Sequence, residues 1–289
     1  MKILVTGACG QLGLSFRDVA DGSVHEFVFT SDKPSEGVMK LDVTDPAEVD
    51  RIVSEGRFDA IINCAGYTNV AKAEKEEPLA MKINAEAVGY LADAARRAGA
   101  LLIHISTDYV FDGRSGVPYA EDAQPAPLSA YGRSKLAGES AVLASGCRHL
   151  ILRTSWLFSA HGTNFVRTIY EKTASSPVVK VVDDQIGSPT YAGDLVEFVM
   201  GILDGGVEGK EGIYNFTNEG VCSWYDLAWA ICDITGHLCE VLPCRTADYP
   251  TGVERPHFSV LDKTRVKETF GIGIPHWTDS LRFCLSKLE

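Results

Sequence analysis

The sequence predicts an α/β fold, in which a doubly wound parallel sheet is joined to a smaller, interleaved C-terminal domain. Two observations in the 289 residues predict it. Through the first half, short runs of Val, Ile and Leu alternate with amphipathic segments, and each run is apolar throughout, as strands buried on both faces are. A glycine-rich segment also joins the first apolar run to the first amphipathic one, where doubly wound folds bind ligands.

The elements of the first half alternate as expected for right-handed crossovers between parallel strands. Strands are predicted over residues 2–6, 26–30, 60–63, 101–106 and 149–154. Helices are predicted over residues 11–20, 46–55, 79–98 and 131–144. Pro46 suits a first helical turn, with Thr44 before it as the candidate cap.

After about Trp156 the alternation is less regular. A strand is predicted over 178–182 and a helix over 192–203, and further elements follow over 213–216, 224–234 and 276–288. We expect residues 1–155 to form the first domain, with later segments of about 178–215 returning to it. Residues 156–289 are expected to form mainly a second domain that closes over the carboxyl edge of the sheet, where ligands bind in such folds.

Composition excludes several classes of protein. Lys and Arg number 27 and Asp and Glu 39, which gives a net charge of −12. A general nucleic-acid surface would need a basic face, so none is expected. No apolar run reaches the length of a membrane span, and the apolar run at the start is too short for a signal peptide. The eight cysteines form no CxxC pair. We therefore expect a cytoplasmic protein with reduced cysteines and no metal site.

A glycine-rich turn follows the first predicted strand. Its glycines are Gly7, Gly10 and Gly13, and Gln11 and Leu12 open the following helix. The first glycine permits a tight turn, the second lets backbone N–H groups approach a pyrophosphate, and the third allows close packing of helix on strand. A helix N-terminus also offers free donors to phosphates. Together, strand, turn and helix predict a Rossmann-type NAD(P)-binding domain over residues 1–155.

Four residues bear on the choice of coenzyme. Asp32 follows the second predicted strand, where a carboxylate accepts hydrogen bonds from the ribose hydroxyls of NAD. Lys33 comes next and could pair with the 2′-phosphate of NADP instead. Asp42 and Val43 are expected near the adenine, although a turn or helix-cap role suits Asp42 equally well. The predicted coenzyme is NADPH or NADH, and the sequence leaves the choice open.

The pattern Tyr131-x-x-x-Lys135 opens the helix predicted over residues 131–144. Residues four apart project from the same face of a helix. A phenol has an ordinary pKa of about 10, and a nearby ammonium lowers it. Tyr131 is therefore predicted to be a general acid, and Lys135 to tune its pKa and to bind the nicotinamide ribose.

Hydroxyl groups stand at the end of the central predicted strand, which is followed by Thr107. Thr107 can donate a hydrogen bond to a substrate carbonyl while Tyr131 protonates the developing alkoxide. A nicotinamide coenzyme would deliver hydride to the same carbon. His104, within the strand, is expected to be a packing residue. The glycine turn, the Tyr–Lys pair and this hydroxyl together predict a reductase.

Nine longer motifs carry a family resemblance. They are GACGQLG (7–13), LDVTD (41–45), NCAGYTNVAKAE (63–74), STDYVFDG (106–113), SAYGRSKLAGE (129–139), RTSWLF (153–158), VVDDQIGSPT (181–190), GVCSWYDLA (220–228) and ERPHFSVLD (254–262). The chain resembles the dTDP-4-dehydrorhamnose reductases, a family of extended short-chain dehydrogenase/reductases, over nearly its whole length. STDYVFDG and DDQIGSPT are far more discriminating than the glycine or Tyr–Lys patterns.

The resemblance implies that dTDP-4-dehydro-L-rhamnose is reduced to dTDP-L-rhamnose with NAD(P)H, and that residues 156–289 mainly bind this dTDP-linked deoxysugar. It implies a catalytic role for Tyr131, Lys135 and Thr107, nicotinamide contacts for Ala65, Gly66 and Tyr67, and sugar-nucleotide contacts for Thr107, Asp108, Tyr109, Trp156 and Arg255. A tryptophan suits the apolar face of a deoxysugar, and an arginine suits a diphosphate. Domain packing for Trp156 and a structural ion pair for Arg255 stay open.

The chain departs from the family pattern at two places. Val70, Ala71 and Lys72 include an alanine where a polar residue is usual, which puts substrate contacts from that loop in doubt. Ser15 replaces a glutamate that supports a metal-linked dimer in some members, so a metal bridge is not predicted even though Glu197 could be a remaining carboxylate. A homodimer is left open.

Two other functions compete with this interpretation. A reductase or epimerase for another nucleotide sugar would share the coenzyme site and the Tyr131–Lys135 pair. A non-catalytic regulatory subunit, similar to that of methionine adenosyltransferase, would keep the fold alone. The intact Tyr131, Lys135 and Thr107 argue against the second alternative.

Overall fold

A computed structural model describes residues 1–33, 35–248 and 252–288. Among these residues the strands are β1 (Lys2–Thr6), β2 (Glu26–Ser31), β3 (Val38–Lys40), β4 (Ala60–Asn63), β5 (Leu101–Thr107), β6 (His149–Thr154), β7 (Leu157–Phe158), β8 (Val178–Val182), β9 (Ile186–Gly187), β10 (Thr190–Tyr191), β11 (Gly212–Asn215), β12 (Cys222–Ser223) and β13 (Glu240–Cys244).

The α-helices are α1 (Gln11–Ala20), α2 (Pro46–Gly56), α3 (Val70–Ala73), α4 (Glu77–Met81), α5 (Ala87–Ala98), α6 (Ala130–Ser145), α7 (Phe165–Ser175), α8 (Ala192–Gly205), α9 (Trp224–Thr235), α10 (Thr264–Phe270) and α11 (Trp277–Leu285). A π-helical turn, Lys82–Glu86, joins α4 to α5, and short 3-10 turns cover Asp108–Val110 and Thr246–Asp248.

Seven parallel strands form the central sheet in the order β11-β6-β5-β4-β1-β2-β3. The strand order reverses between β1 and β4, because β1 is followed along the chain by β2 on one side and β4 lies on the other. In doubly wound sheets this switch point opens a crevice at the carboxyl ends of the strands. The predicted α/β, doubly wound fold is confirmed.

Two apolar layers cover the sheet. On one face, α1 and α8 pack on the strands through fully buried residues that include Phe16, Leu195 and Val199. On the other face, α2 and α5 pack through Val49 and Leu91 among others. Each strand of the centre is buried on both sides, which explains its uninterrupted apolar sequence.

A smaller body with its own core lies beside the carboxyl edge of the sheet. Its core is formed by α7, α9 and α11, with Val166, Ile231 and Leu281 fully buried. Three two-stranded sheets complete it, pairing β7 with β10, β9 with β12 and β8 with β13. This body interleaves with the first because α8 and β11 return to the central sheet between its segments.

The structure corrects three predicted details. The strand over 178–182 has the predicted bounds but pairs with β13 and does not return to the central sheet. The predicted helix over 79–98 begins at Glu77 and contains the π-helical turn, which a simple 3.6-residue period does not show. Asp45, not Thr44, caps α2, because its carboxylate accepts hydrogen bonds from the N–H groups of Ala47 and Glu48.

Among the described residues, no helix has both the length and the apolar character needed to span a bilayer.

Candidate active site

The glycine turn connects β1 to α1 in a tightly packed arrangement. Gly7 has a φ of +64°, and its carbonyl accepts a hydrogen bond from Gly10 N at 2.9 Å. A Cβ on Gly7 would lie 2.6 Å from Ala65 N, and one on Gly13 would overlap the carbonyl of Gly7. Both positions therefore require glycine for the packing of the turn itself.

Gly10 differs from its neighbours because an added Cβ would have one tight contact and no overlap. A Cβ there would meet only Gly7 O, at 3.2 Å. Gly10 is also the N-cap of α1, and no side chain caps the first turn of that helix. The first N–H groups of a helix have no partner inside the helix, so a surface without side chains and with several donors faces the cleft. These features fit the pyrophosphate of a dinucleotide.

The cleft itself has a volume of about 620 Å³ and runs from the glycine turn to the smaller body. Predicted site residues that line it are Gly10, Gln11, Leu12, Ala65, Gly66, Thr107, Asp108, Tyr109, Tyr131, Lys135, Trp156 and Arg255. Gly7, Gly13, Asp32, Asp42, Val43 and Tyr67 are not among its lining residues. The cleft thus joins residues from the ends of β1, β4, β5 and β6 to residues of α6 and the smaller body.

The exposed residues after β2 do not decide between NADH and NADPH. Asp32 follows directly after β2, and its carboxylate accepts a hydrogen bond from Ser31 Oγ at 3.1 Å. Lys33 is exposed beside it. The carboxylate of Asp42 accepts hydrogen bonds from the N–H and the hydroxyl of Thr44, at 2.9 and 2.8 Å. These bonds lower the pKa of Asp42 and give it the turn role that was one of its two expected roles.

Tyr131 and Lys135 lie on one face of α6, opposite the end of β5. The Lys135 ammonium is buried and donates to Ile105 O at 2.5 Å. Tyr131 and Tyr109 are in edge-to-face contact, with ring centroids 5.5 Å apart. Ser129 caps the helix by accepting from Gly132 N at 3.1 Å, which fixes the first turn that carries Tyr131.

Burial dominates the ionisation of this pair. It raises the pKa of Tyr131 to about 12, against a hydrogen bond with Thr107 that lowers it. Burial also lowers the pKa of Lys135 to about 8. Sequence reasoning expected Lys135 to lower the pKa of Tyr131; instead the lowering comes from the hydrogen bond with Thr107, and the larger effect of burial raises the pKa. Tyr131 is consequently a fully protonated phenol at neutral pH.

Thr107 lies between Tyr131 and a buried carboxyl. Its hydroxyl donates to Asp108 Oδ1 at 3.0 Å and accepts from Tyr109 N at 3.3 Å. Asp108 Oδ2 is buried and has no hydrogen-bond partner among the described residues. Burial raises the pKa of Asp108 to about 7. A group with an unsatisfied buried oxygen at the wall of a cleft is available to a polar group of a ligand.

Sequence reasoning missed Asn84, which fixes the loop after β4 at the wall of the cleft. Asn84 is buried in the π-helical turn, and its Oδ1 accepts from Tyr67 N at 2.8 Å. Its Nδ2 donates to Tyr67 O and to Ser134 Oγ, each at 3.0 Å. The loop after β4 is thereby fixed to α6 near Tyr131. A π-helical turn inside a helix often marks such a site, but no sequence pattern indicates it.

A wall of aromatic rings lines the opposite side of the cleft. Trp156 has a φ of +49°, which is rare for a non-glycine residue, and stacks on Trp224 with ring centroids 3.6 Å apart. Phe165 packs on Trp224 at 4.5 Å. Trp224, which sequence reasoning did not single out, comes from α9, so Trp156 both joins elements of the smaller body and presents an apolar surface.

Arg255 lines the same side of the cleft without a salt-bridge partner among the described residues. Its Nε is buried and has no hydrogen-bond partner there either. The guanidinium lowers the pKa of Tyr109 against the larger raising effect of burial. Of the two expectations for Arg255, a structural ion pair is wrong within the described part of the chain, and a contact with an anion stays a prediction.

No group of three or more His, Cys, Asp or Glu side chains that could hold a metal ion occurs within residues 1–33, 35–248 and 252–288. Glu197 is exposed on α8, and Ser15 is buried in α1 with its hydroxyl on Gln11 O.

Comparisons with known proteins agree with this geometry. The model of the RmlD substrate binding domain family matches residues 1–289. A dTDP-4-dehydrorhamnose reductase of Aggregatibacter actinomycetemcomitans is 39% identical over 97% of each chain. A probable dTDP-4,6-dihydroxy-2-methyloxan-3-one 4-ketoreductase of Streptomyces antibioticus is also 39% identical, over 98% of this chain and 94% of its own.

Similarity extends to solved structures. The crystal structure of a dTDP-4-dehydrorhamnose reductase from Bacillus anthracis, in complex with NADP, superposes with a TM-score of 0.92 at 34% identity and covers 99% of both chains. Family match, identity and fold all extend over essentially the whole length. The chain therefore belongs to the RmlD substrate binding domain family and is an oxidoreductase with a Rossmann-type fold.

Proposed function

We propose that the chain catalyses the NAD(P)H-dependent reduction of the C4 keto group of dTDP-4-dehydro-L-rhamnose, giving dTDP-L-rhamnose. One observation carries the proposal: a single cleft holds an uncapped glycine turn, the Tyr131–Lys135 pair, Thr107 and an aromatic wall. These are the parts that a dinucleotide, a carbonyl and an apolar sugar face each require. The family relatives with this reaction in their names support the choice of substrate.

Coenzyme binding rests on the glycine turn and the ends of β4 and β5. The free N–H groups at the start of α1 would hold the pyrophosphate, and Ala65, Gly66 and Lys135 would hold the nicotinamide end. When bound, NADPH or NADH supplies the hydride. The NADP complex of the similar Bacillus anthracis structure supports this assignment.

Tyr131 supplies the proton. Since burial raises its pKa to about 12, the phenol is fully protonated at neutral pH and can protonate the oxygen of a developing alkoxide. The Thr107 hydroxyl lies beside the phenol and would donate to the same oxygen by turning its hydrogen away from Asp108 Oδ1. Lys135 lies one helical turn after Tyr131, and its ammonium, with a pKa lowered to about 8, would be the cation that stabilises the phenolate after proton transfer.

The sugar nucleotide would occupy the half of the cleft between Tyr109 and the aromatic wall. Trp156 offers an apolar ring face to the deoxysugar, and the partnerless guanidinium of Arg255 offers charge-assisted hydrogen bonds to the diphosphate. Asp108 Oδ2 is placed to accept from a sugar hydroxyl. Arg255 Nε and Asp108 Oδ2 have no hydrogen-bond partner among the described residues, while Thr107 and Ser259 hydrogen-bond the Asp108 carboxyl.

The direct experiment is turnover of dTDP-4-dehydro-L-rhamnose with NADPH and with NADH, with the sugar product identified by mass spectrometry and NMR. We expect coenzyme oxidation that yields dTDP-L-rhamnose in equal amount, and none without the sugar. The ratio of the two rates resolves the competing roles of Asp32 and Lys33. Coenzyme that binds but is never oxidised would contradict the proposal.

A second candidate has one observation in its favour. The Streptomyces antibioticus relative, named as a probable ketoreductase for a different dTDP-sugar, is as similar in identity as the Aggregatibacter reductase. Both reactions would use the same Tyr131, Lys135 and Thr107. Offering both keto sugars in competition separates the two, because the preferred substrate is consumed first.

A further inference from the structure

A buried ion pair starts one helical turn after Lys135 on α6 and is not used by the proposed chemistry, although Ser106, which is bonded to it, also lines the cleft. Glu139 and Arg153 are each 2% exposed and form a two-point ion pair, with Nε–Oε1 and Nη2–Oε2 distances of 2.9 and 2.7 Å. Ser106 Oγ donates to Glu139 Oε1 at 2.5 Å. We call Ser106, Glu139 and Arg153 the clamp. It joins β5, α6 and β6.

Its position along the chain relates it to the site. Ser106 immediately precedes Thr107 on β5, and Glu139 follows Lys135 by one helical turn on α6. Residues four apart on a helix lie on the same face. Lys135 donates to Ile105 O, and Ser106 donates to Glu139. Two consecutive residues of β5, Ile105 and Ser106, thus hydrogen-bond two successive turns of α6.

Arg153 holds the carboxylate in place from the neighbouring strand. Its Nη1 donates to Glu121 O at 2.9 Å, and its guanidinium lies 5.1 Å from the ring centre of Phe111. Both oxygens of Glu139 are therefore paired, and the guanidinium has contacts on several sides. A buried pair with this many partners has one geometry, although it adds little net stability compared with apolar side chains. The free-energy cost of burying these charges is better explained by the position that the ion pair imposes on α6.

We infer that Glu139, held by Arg153 and linked to the strand through Ser106, is a positioning residue that sets the register of α6 on β5, so that the Tyr131 phenol and the Thr107 hydroxyl meet the same substrate oxygen. The inference rests on the proposed function for its catalytic consequence. Glu139 also acts on Lys135 electrostatically, because it opposes the effect by which burial lowers the pKa of that ammonium.

The obvious variant, Glu139→Gln, would leave the Arg153 charge buried without its counter-charge, and unfolding would obscure its effect on catalysis. Ser106→Ala is sharper, because it removes the link between strand and helix and leaves the ion pair intact. Ser106→Thr is the rescue variant, since it restores the hydroxyl. Thr173→Val is the control: it removes another buried hydroxyl, bonded to Ile169 O in α7, away from the cleft.

Two readouts test the clamp. In the coenzyme-free protein, hydrogen–deuterium exchange should be faster in residues 131–139 of Ser106→Ala than in the unsubstituted protein, and unchanged there in Thr173→Val. In turnover, Ser106→Ala should lose about 10-fold in kcat with coenzyme Kd within about twofold, because small displacements of reacting groups reduce rate more than binding. Ser106→Thr should regain most of the rate.

Unchanged exchange and kcat in Ser106→Ala would overturn the inference, as would an equal loss of kcat in Thr173→Val. If the unsubstituted protein binds coenzyme but does not reduce the sugar, the proposed function fails. The exchange measurement needs no substrate, so it would still decide whether the clamp fixes α6 on β5.

Discussion

The two halves of the cleft are built in different ways. The half proposed for the coenzyme comes from β1, α1, β4, β5 and α6, which lie within the first 145 residues and whose ends meet because parallel strands share a carboxyl edge. The substrate half takes Trp156, Phe165, Trp224 and Arg255 from four separate segments. The first half has a backbone surface fixed by close packing, and in the second the buried Nε of Arg255 has no hydrogen-bond partner among the described residues. The coenzyme half is thus preformed, whereas the substrate half keeps its binding groups available.

Tyr131 lies at the boundary of the two halves. Its loss should lower the rate of the chemical step and leave the binding of coenzyme and of sugar nucleotide unchanged. Tyr131→Phe removes the general acid, and we expect kcat to fall by about 10³-fold with coenzyme Kd within about twofold. Steady-state kinetics and coenzyme fluorescence titration measure the two effects. Tyr170→Phe, in α7 of the smaller body, is the matched control and should keep its rate. A kcat for Tyr131→Phe within tenfold of the unsubstituted value would remove Tyr131 as the acid.

The coenzyme half should also carry a cost in stability. Burial lowers the pKa of Lys135 from 10.5 to about 8, so between these two pH values the unfolded chain binds the proton more tightly. The contribution of Lys135 is therefore unfavourable below about pH 8 and is relieved as pH rises towards 10.5. Compared with Lys135→Met, the free energy of unfolding of the unsubstituted protein should rise by on the order of 3 kcal/mol across that window.

Urea denaturation of both proteins at several pH values measures that difference. Taking the difference between the two proteins cancels the titration of the tyrosines and cysteines that they share. Parallel stability curves from pH 7 to 10.5 would show that Lys135 does not have a lowered pKa in the folded chain.

Gly10→Ala should affect the coenzyme half alone. Its Cβ would lie 3.2 Å from Gly7 O, which must shift by a few tenths of an ångström, so the protein should fold with a small loss of stability. The same methyl group would stand where the pyrophosphate approaches the backbone, and we expect coenzyme Kd to rise about 30-fold, or about 2 kcal/mol. Gly22→Ala, where no atom lies within 4 Å of the added Cβ, is the control. Equal coenzyme affinity in the two variants would show that the pyrophosphate does not bind at the glycine turn.

Arg255→Met should have the complementary and smallest effect. Loss of the charge-assisted contact with a diphosphate should raise KM for the sugar nucleotide about 10-fold and leave coenzyme Kd unchanged. Arg282→Met removes an exposed arginine elsewhere and should do neither. If Arg255→Met weakened the binding of coenzyme instead of that of the sugar nucleotide, the two halves of the cleft would not be separable as described.

The same contrast explains what could be predicted from the sequence. The positions of Gly10, Thr107 and Lys135 follow from local patterns: a strand ends, a turn or helix begins, and parallel strands place these points at one edge. Helix α1 and strands β1, β4 and β6 have their predicted bounds for this reason. Family resemblance added Trp156 and Arg255, which no local pattern placed at the cleft.

Other parts depend on packing between distant segments. Asn84 acts through a π-helical turn that has no signature in hydrophobic periodicity, and Trp224 reaches the cleft only because α9 packs against the loop of Trp156. The raised pKa of Tyr131 likewise depends on burial by the folded chain, whereas the spacing from Lys135 alone predicts a lowered one. The spacing of Tyr131 and Lys135 predicts that they are neighbours on the helix, whereas burial determines whether the pKa of Tyr131 is raised or lowered.

Transfer of an isotopic label tests the central claim most directly. NADPH and, separately, NADH carrying deuterium at the transferable position of the nicotinamide would be mixed with dTDP-4-dehydro-L-rhamnose and the protein, and the sugar product examined by NMR. The account predicts one deuterium at C4 of dTDP-L-rhamnose, with the hydroxyl proton coming from the protein and solvent. A product without deuterium at C4, or coenzyme that binds and is not oxidised, would contradict it.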